Sequence, residues 1–133
     1  ELAIDLAKDM GYSNITMLGF LGERLDHMLG NIFMLYYAQQ LGLKLELVDE
    51  NNKAWLITKG KTKILNEKGR TISFITLGDN AYGITLKGFA YPLDNYNLEL
   101  GSTRCISNIV SEDEAEIELE IGKLIAILTN PEL

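Results

Sequence analysis

The chain has 133 residues, 47% of them hydrophobic and 23% charged, which suits one compact domain or one domain with a remnant of another. A formal net charge of −7 and the scattering of its 12 basic residues exclude a nucleic-acid surface, and charges interrupt every apolar run short of the ~18 residues a membrane span needs. The single cysteine, Cys105, cannot form an internal disulfide and fits a reducing, cytoplasmic setting.

In chain order, Leu2, Ala3, Leu6, Ala7 and Met10 recur at helical spacing, with Glu1, Asp5 and Lys8 opposite, and predict a first helix. Ile15-Thr16-Met17-Leu18 is a short apolar run of the kind a buried parallel strand requires. It feeds the segment Gly19-Phe20-Leu21-Gly22-Glu23-Arg24-Leu25-Asp26-His27, after which an apolar-rich stretch to Leu41 reads as a second helix. Leu29, Ile32, Phe33 and Tyr36 mark one face of that helix, widened by Met28, Leu35 and Tyr37, and Gly42 suits its stop. A strand entering a helix through a polar, glycine-containing loop gathers backbone N–H groups and charged side chains at the strand's carboxyl end, where open α/β sheets bind phosphorylated ligands. Arg24 offers a planar fork for phosphate oxygens, and Asp26 can cap the helix or help to hold a cation. The same two residues also fit a simple N-cap beside a solvated arginine.

Beyond residue 42 the period becomes two. Leu43, Leu45 and Leu47 alternate with Lys44 and Glu46, and Asp49-Glu50-Asn51-Asn52 supplies a turn. Further strands are predicted at 54–58, 62–65, 71–77 and 83–86, then at 116–121 with strict alternation and at 124–128 as a continuous buried run. Short strands divided by Gly, Asn and Asp indicate an antiparallel sandwich. Trp55 reads as a packing residue, Cys105 as a small semi-buried loop residue, and the run 111–116 as a solvated turn with no metal. Tyr91 and Tyr96 are the aromatics best placed to line a pocket.

Two motifs carry a family resemblance. Gly22-Glu23-Arg24-Leu25-Asp26-His27 resembles the Gly-Gly-Arg-Leu-Asp-His loop of thiamin pyrophosphokinases, with Glu23 where that family usually has a second glycine. Gly101-Ser102-Thr103-Arg104-Cys105-Ile106-Ser107-Asn108 resembles the late Gly-Ser…Ile-Ser-Asn stretch of the bacterial-type enzymes, in the expected order. The resemblance covers the whole chain but only part of the family, whose main metal-binding aspartates lie in an amino-terminal α/β half ahead of the position matching Glu1.

The resemblance implies mixed α and β structure, with a remnant of an α/β nucleotide-binding domain over residues 1–41 and an antiparallel β-sandwich that binds thiamin over 42–133. It implies a transferase that moves a pyrophosphoryl group from ATP to thiamin, giving thiamin diphosphate and AMP, with Mg2+ as the companion of ATP. By analogy Arg24 and Asp26 are catalytic; Gly22, Arg24 and His27 bind ATP; Asp26 assists the metal; and Ser107 and Asn108 line the thiamin side. A homodimer is expected, and the 133-residue chain by itself is expected to be inactive. The alternatives are a non-catalytic ligand-binding module of the same descent and a dimerisation sandwich whose loops only cap and pack.

Overall fold

The computed structural model describes residues 1–19 and 24–130. Residues 20–23, which include Gly22 and Glu23, lie outside the described residues. The chain divides into two compact units, Glu1–Leu56 and Ile57–Leu133.

The first unit opens with α1 (Leu2–Asp9), followed by β1 (Asn14–Leu18), α2 (Leu25–Gln40), β2 (Lys44–Val48) and β3 (Asn52–Ile57), which ends at the boundary. β1 runs parallel to β2, in register from Asn14 with Lys44 to Leu18 with Val48, and β2 turns back antiparallel into β3. The turn is an Asx motif in which Asp49 Oδ1 accepts from the Asn51 and Asn52 amides at 2.8 and 2.7 Å. Alternation along β2 buries Leu45 and Leu47 and exposes Lys44, as the period of two requires. The helix α2 stops where Gly42 adopts φ +76, allowing the Leu43 amide to return to the Ala38 carbonyl at 2.9 Å.

β2, in the stretch that follows residue 42, pairs with β1. Two expectations for this unit need correction. β1 is parallel, as anticipated, yet only half-buried: Ile15 and Met17 are partly covered and Leu18 is 69% exposed. The helix faces also differ. In α1 the buried residue is Ile4, while Leu2, Leu6 and Met10 are exposed; in α2 the buried residues are Leu35 and Ala38, while Leu29 and Phe33 are exposed. α2 is apolar on more than one side, and of its apolar residues Leu35 and Ala38 are the buried ones.

The second unit contains β4 (Gly60–Leu65), β5 (Thr71–Thr76), β6 (Ala81–Lys87), β7 (Leu93–Leu98), β8 (Asn108–Ile109), β9 (Glu114–Leu119) and β10 (Leu124–Thr129). They form an antiparallel arrangement in two sets, β10-β5-β8 and β4-β9-β6-β7. Strict alternation in β5 and β9 buries Ile72, Phe74 and Thr76 from one and Ala115, Ile117 and Leu119 from the other. The run at Leu124–Leu128 is buried at four of five positions, as its continuous apolar sequence predicts. Phe74 and Phe89 meet edge to face with centroids 5.9 Å apart. The outward face of β9 is solvated and charge-paired: Lys63 Nζ lies 2.7 Å from Glu114, and the cross-strand neighbours of Glu116 and Glu118 include Lys63, Lys87 and Lys61. Gly88, at φ +84, follows β6 where an added Cβ would stand 3.0 Å from the backbone of Glu114 and Ala115. None of the helices is long and apolar enough to cross a membrane among the described residues.

Candidate functional site

The expected site residues fall into two groups, one in each unit. In the first, Arg24 occupies the residue before α2 in an extended conformation (φ −77, ψ 119), so its side chain folds over the first turn. Its Nη2 donates to Asp26 Oδ2 at 2.7 Å and its Nε to Asp26 Oδ1 at 3.2 Å, a two-pronged pairing. Asp26 Oδ1 also accepts from the His27 amide at 2.9 Å. The guanidinium, then the His27 amide, hold the Asp26 carboxyl below its ordinary pKa. Asp26 therefore stands inside the first helical turn, where its charge complements the helix dipole, and is not the N-cap; Arg24 holds that position and its side chain makes no capping bond. The pair is largely exposed, at 68% and 65% of its side-chain surface, and His27 is exposed as well.

Arg24, Asp26 and His27 thus stand together at the start of α2, while Gly22 lies outside the described residues. A metal ion fits less well. Both Asp26 oxygens already face Arg24, and no three His, Cys, Asp or Glu side chains converge among the described residues. Asp26 alone is not a divalent-cation site.

In the second unit a cleft of about 460 Å³ opens between two chain segments. One wall is Ala90, Tyr91, Pro92 and Leu93; the other is Arg104, Cys105, Ile106, Ser107 and Asn108. The second wall is anchored to β5, since the Phe74 amide donates to the Cys105 carbonyl at 2.9 Å and the Ser107 amide to Ser73 Oγ at 3.0 Å. Ser107 itself sits at φ +65, a left-handed conformation that costs a non-glycine residue about 1 kcal/mol and places it, exposed, at the cleft. Asn108 is 5% exposed. Its Oδ1 accepts from the Tyr91 amide at 3.0 Å and the Ile109 amide at 2.8 Å, and its Nδ2 donates to the Tyr91 carbonyl at 2.8 Å.

Tyr91, 64% exposed, lines the cleft as anticipated, whereas Tyr96 carries the Arg104 guanidinium 5.9 Å from its ring centre and is not among the lining residues. Cys105 is buried outright, and burial pushes its thiol pKa up, with Arg104 opposing. That is the environment of an inert thiol. Trp55 is half-buried with Lys53 Nζ 5.4 Å from its ring centre, a packing position. Sequence reasoning missed Ser73 and Arg104. Ser73 is one polar residue of an alternating strand and carries no local signal, but Arg104 lies within the recognised motif.

Residues 1–47 match the thiamin pyrophosphokinase catalytic domain, and residues 61–124 match the thiamin pyrophosphokinase vitamin B1 binding domain. The chain belongs to the thiamin pyrophosphokinase family. It is 38% identical over 128 residues to the thiamine pyrophosphokinase of Bacillus subtilis (strain 168), covering 96% of this chain and 60% of that protein. The crystal structure of a Bacillus subtilis thiamine pyrophosphokinase superimposes with a TM-score of 0.91 at 36% identity, covering 98% of this chain and 62% of that one. That of a Geobacillus thermodenitrificans thiamin pyrophosphokinase gives 0.87 at 29%, covering 99% and 61%. The chain thus spans about three fifths of the length of these relatives. The two motifs fall within the two matched domains, Arg24-Leu25-Asp26-His27 in the first and Ser107-Asn108 in the second.

Proposed function

We propose that this chain is the part of a thiamin pyrophosphokinase that carries the thiamin cleft and the last portion of the nucleotide-binding region. The observation that carries the reading is the conjunction of the Arg24–Asp26 fork in the first unit with a polar-rimmed cleft at Ser107 and Asn108 in the second, each on its family motif. We assign Glu1–Leu56 to the nucleotide side and the remainder to the thiamin side.

In the reaction, the primary hydroxyl of thiamin attacks the β-phosphorus of ATP. The new O–P bond forms as the bond from the β-phosphorus to the α-phosphate oxygen breaks, the hydroxyl proton leaves, and AMP departs. Charge develops on phosphate oxygens, so positioned cations contribute most of the stabilisation. Arg24 supplies a planar, always-charged fork for those oxygens. It meets them only by sharing or leaving Asp26, which otherwise keeps the guanidinium aimed across the start of α2. Asp26 is thereby a holder of Arg24, and His27 lies beside it for the nucleotide. The Mg2+ that accompanies ATP neutralises phosphate charge when bound; because Asp26 is engaged, its ligands would come from carboxylates beyond the described residues. Ser107 and Asn108 form a wall of the thiamin cleft. We further propose a homodimer acting in the cytoplasm, a compartment that the unpaired, buried Cys105 tolerates.

The test is formation of AMP and thiamin diphosphate from ATP and thiamin by a protein that also supplies the part of the relatives this chain does not span. Absence of both products from a folded preparation overturns the reading. Thiamin binding without transfer is the second reading, favoured because all the lining residues of the cleft belong to one unit.

A further inference from the structure

We infer that Asn108 is a positioning residue: its carboxamide fixes the Tyr91 segment as one wall of the cleft, and its effect on a bound molecule passes through that wall. Only the identity of the ligand, thiamin, rests on the function proposed above.

The backbone shows why a side chain is needed there. Phe89 and Val110 form a bridge, and the Ala90 amide donates to the Ile109 carbonyl at 2.8 Å, so the two segments pair as far as Ala90. The chain then reaches Tyr91-Pro92, and proline has no N–H with which to continue a ladder. Asn108 extends the pairing by one further residue. Its carboxamide meets both polar groups of the Tyr91 backbone, accepting from the amide at 3.0 Å and donating to the carbonyl at 2.8 Å, as another peptide group would. The third bond, from the Ile109 amide to the same oxygen at 2.8 Å, fixes the side chain to its own strand.

The oxygen is fully committed by these bonds, since both of its lone pairs accept backbone donors. A flipped carboxamide would turn its NH2 group toward two N–H donors, so only one orientation serves. At 5% exposure little of the carboxamide is open to the cleft that Asn108 helps to line. Aspartate would keep the acceptor and set an oxygen against the Tyr91 carbonyl, and alanine would leave both Tyr91 groups without their partner. The consequence falls on Tyr91, whose ring is exposed at the cleft and whose backbone direction Asn108 sets.

Two measurements test this, each on Asn108→Ala and Asn108→Asp. In amide hydrogen exchange of this chain, the Tyr91 amide should exchange faster by about tenfold or more in Asn108→Ala through loss of its acceptor, and likewise in Asn108→Asp because a carboxylate oxygen set against the Tyr91 carbonyl drives the segment off, while the amides of β5 and β10 keep their protection. An unchanged Tyr91 amide overturns the inference; Asn108→Asp keeps it testable should Asn108→Ala not fold. In the second measurement, a protein spanning the relatives' full length is titrated with thiamin and with the analogue whose pyrimidine amino group is replaced by an oxo group. A residue acting through the wall weakens both ligands by the same factor, within about twofold, as independent sites do. Selective loss of the preference between the two would mean direct contact and overturns the inference. If the wild-type protein binds neither ligand, the proposed function fails, and the exchange measurement still decides the role of Asn108.

Discussion

Arg24 and Asp26 are two positions apart, a spacing at which side chains on a helix do not face each other. They meet because only Asp26 is helical: Arg24 stands in the extended conformation just before the first turn and folds back across it. The motif therefore made the pair of residues legible as candidates, while their mutual hydrogen bonds depended on a change of backbone conformation that the residue types do not announce. Since Arg24 lowers the Asp26 pKa, the pairing is present above the ordinary aspartate value and is lost as pH falls through the lowered one. In a protein spanning the full length of the relatives, Arg24→Ala is expected to lower kcat/KM by on the order of a hundredfold or more, the usual cost of removing a preorganised charge partner. Arg24→Lys should recover little of it, because a point charge does not reproduce the fork. Asp26→Asn should cost less than Arg24→Ala if its part is to aim the guanidinium. Steady-state measurement of AMP release, with folding checked by circular dichroism, reads all three; full activity in Arg24→Ala removes the loop from the mechanism. Ser107 and Asn108 were legible in the same way, as a motif, but the sequence held no sign that one would be exposed in a left-handed turn and the other buried against Tyr91.

Among the elements, strands with one buried face were the most legible. β5 and β9 alternate in sequence and alternate in burial, and the continuous apolar run of β10 is buried on both faces for most of its length. β7 was not legible, because Leu93-Asp94-Asn95-Tyr96-Asn97-Leu98 has the composition of a turn; it pairs with β6 through irregular registers, with Asn95 at φ +50. Helix faces were read less well, since apolar residues surround much of α2 and periodicity alone does not choose among them. The burial pattern now makes a sharp expectation. Leu35→Ala should cost about 3 kcal/mol in urea unfolding, as buried leucine truncations do, whereas Leu29→Ala and Phe33→Ala should each fall within about 0.5 kcal/mol of wild type. Equal losses at all three would mean that the exposed face is covered. The contact between α1 and α2 gives a pH test. Tyr37 donates its hydroxyl to Asp5 Oδ1 at 2.5 Å, and this hydrogen bond, foremost, raises the tyrosine pKa. A raised folded pKa means that its contribution is present below the unfolded value near 10 and disappears as pH rises through the higher folded one. Tyr37→Phe should therefore remove part of the stability difference between pH 8 and pH 11, measured as the shift in urea midpoint; an unchanged difference would assign the alkaline loss elsewhere.

At the scale of the whole molecule, the two units present different surfaces. The first exposes Leu2, Leu6 and Met10 on α1 and Leu25, Leu29 and Phe33 on α2, and exposed apolar faces of this kind favour self-association. Sedimentation of the 133-residue chain should show concentration-dependent assembly. The double substitution Leu29→Ser/Phe33→Ser should suppress any open-ended part of it while leaving a dimer built on the second unit intact; complete conversion to monomer would place the dimer contact on α2 instead. On the proposed reading catalysis makes the larger demand, since it would draw on metal-binding carboxylates that do not converge among the described residues, whereas the cleft draws every lining residue from one unit. The chain of 133 residues alone should thus form no measurable thiamin diphosphate from ATP and thiamin, even at concentrations where the longer protein turns over readily. Losing several kcal/mol of transition-state stabilisation for each missing charge partner leaves rates lower by a hundredfold or more per group. Thiamin added to the same preparation should still slow amide exchange around Tyr91 and Ser107. Turnover by this chain at a rate comparable to that of the longer protein would show that Arg24, Asp26 and the cleft suffice, and the metal carboxylates would then have to be sought among its own residues.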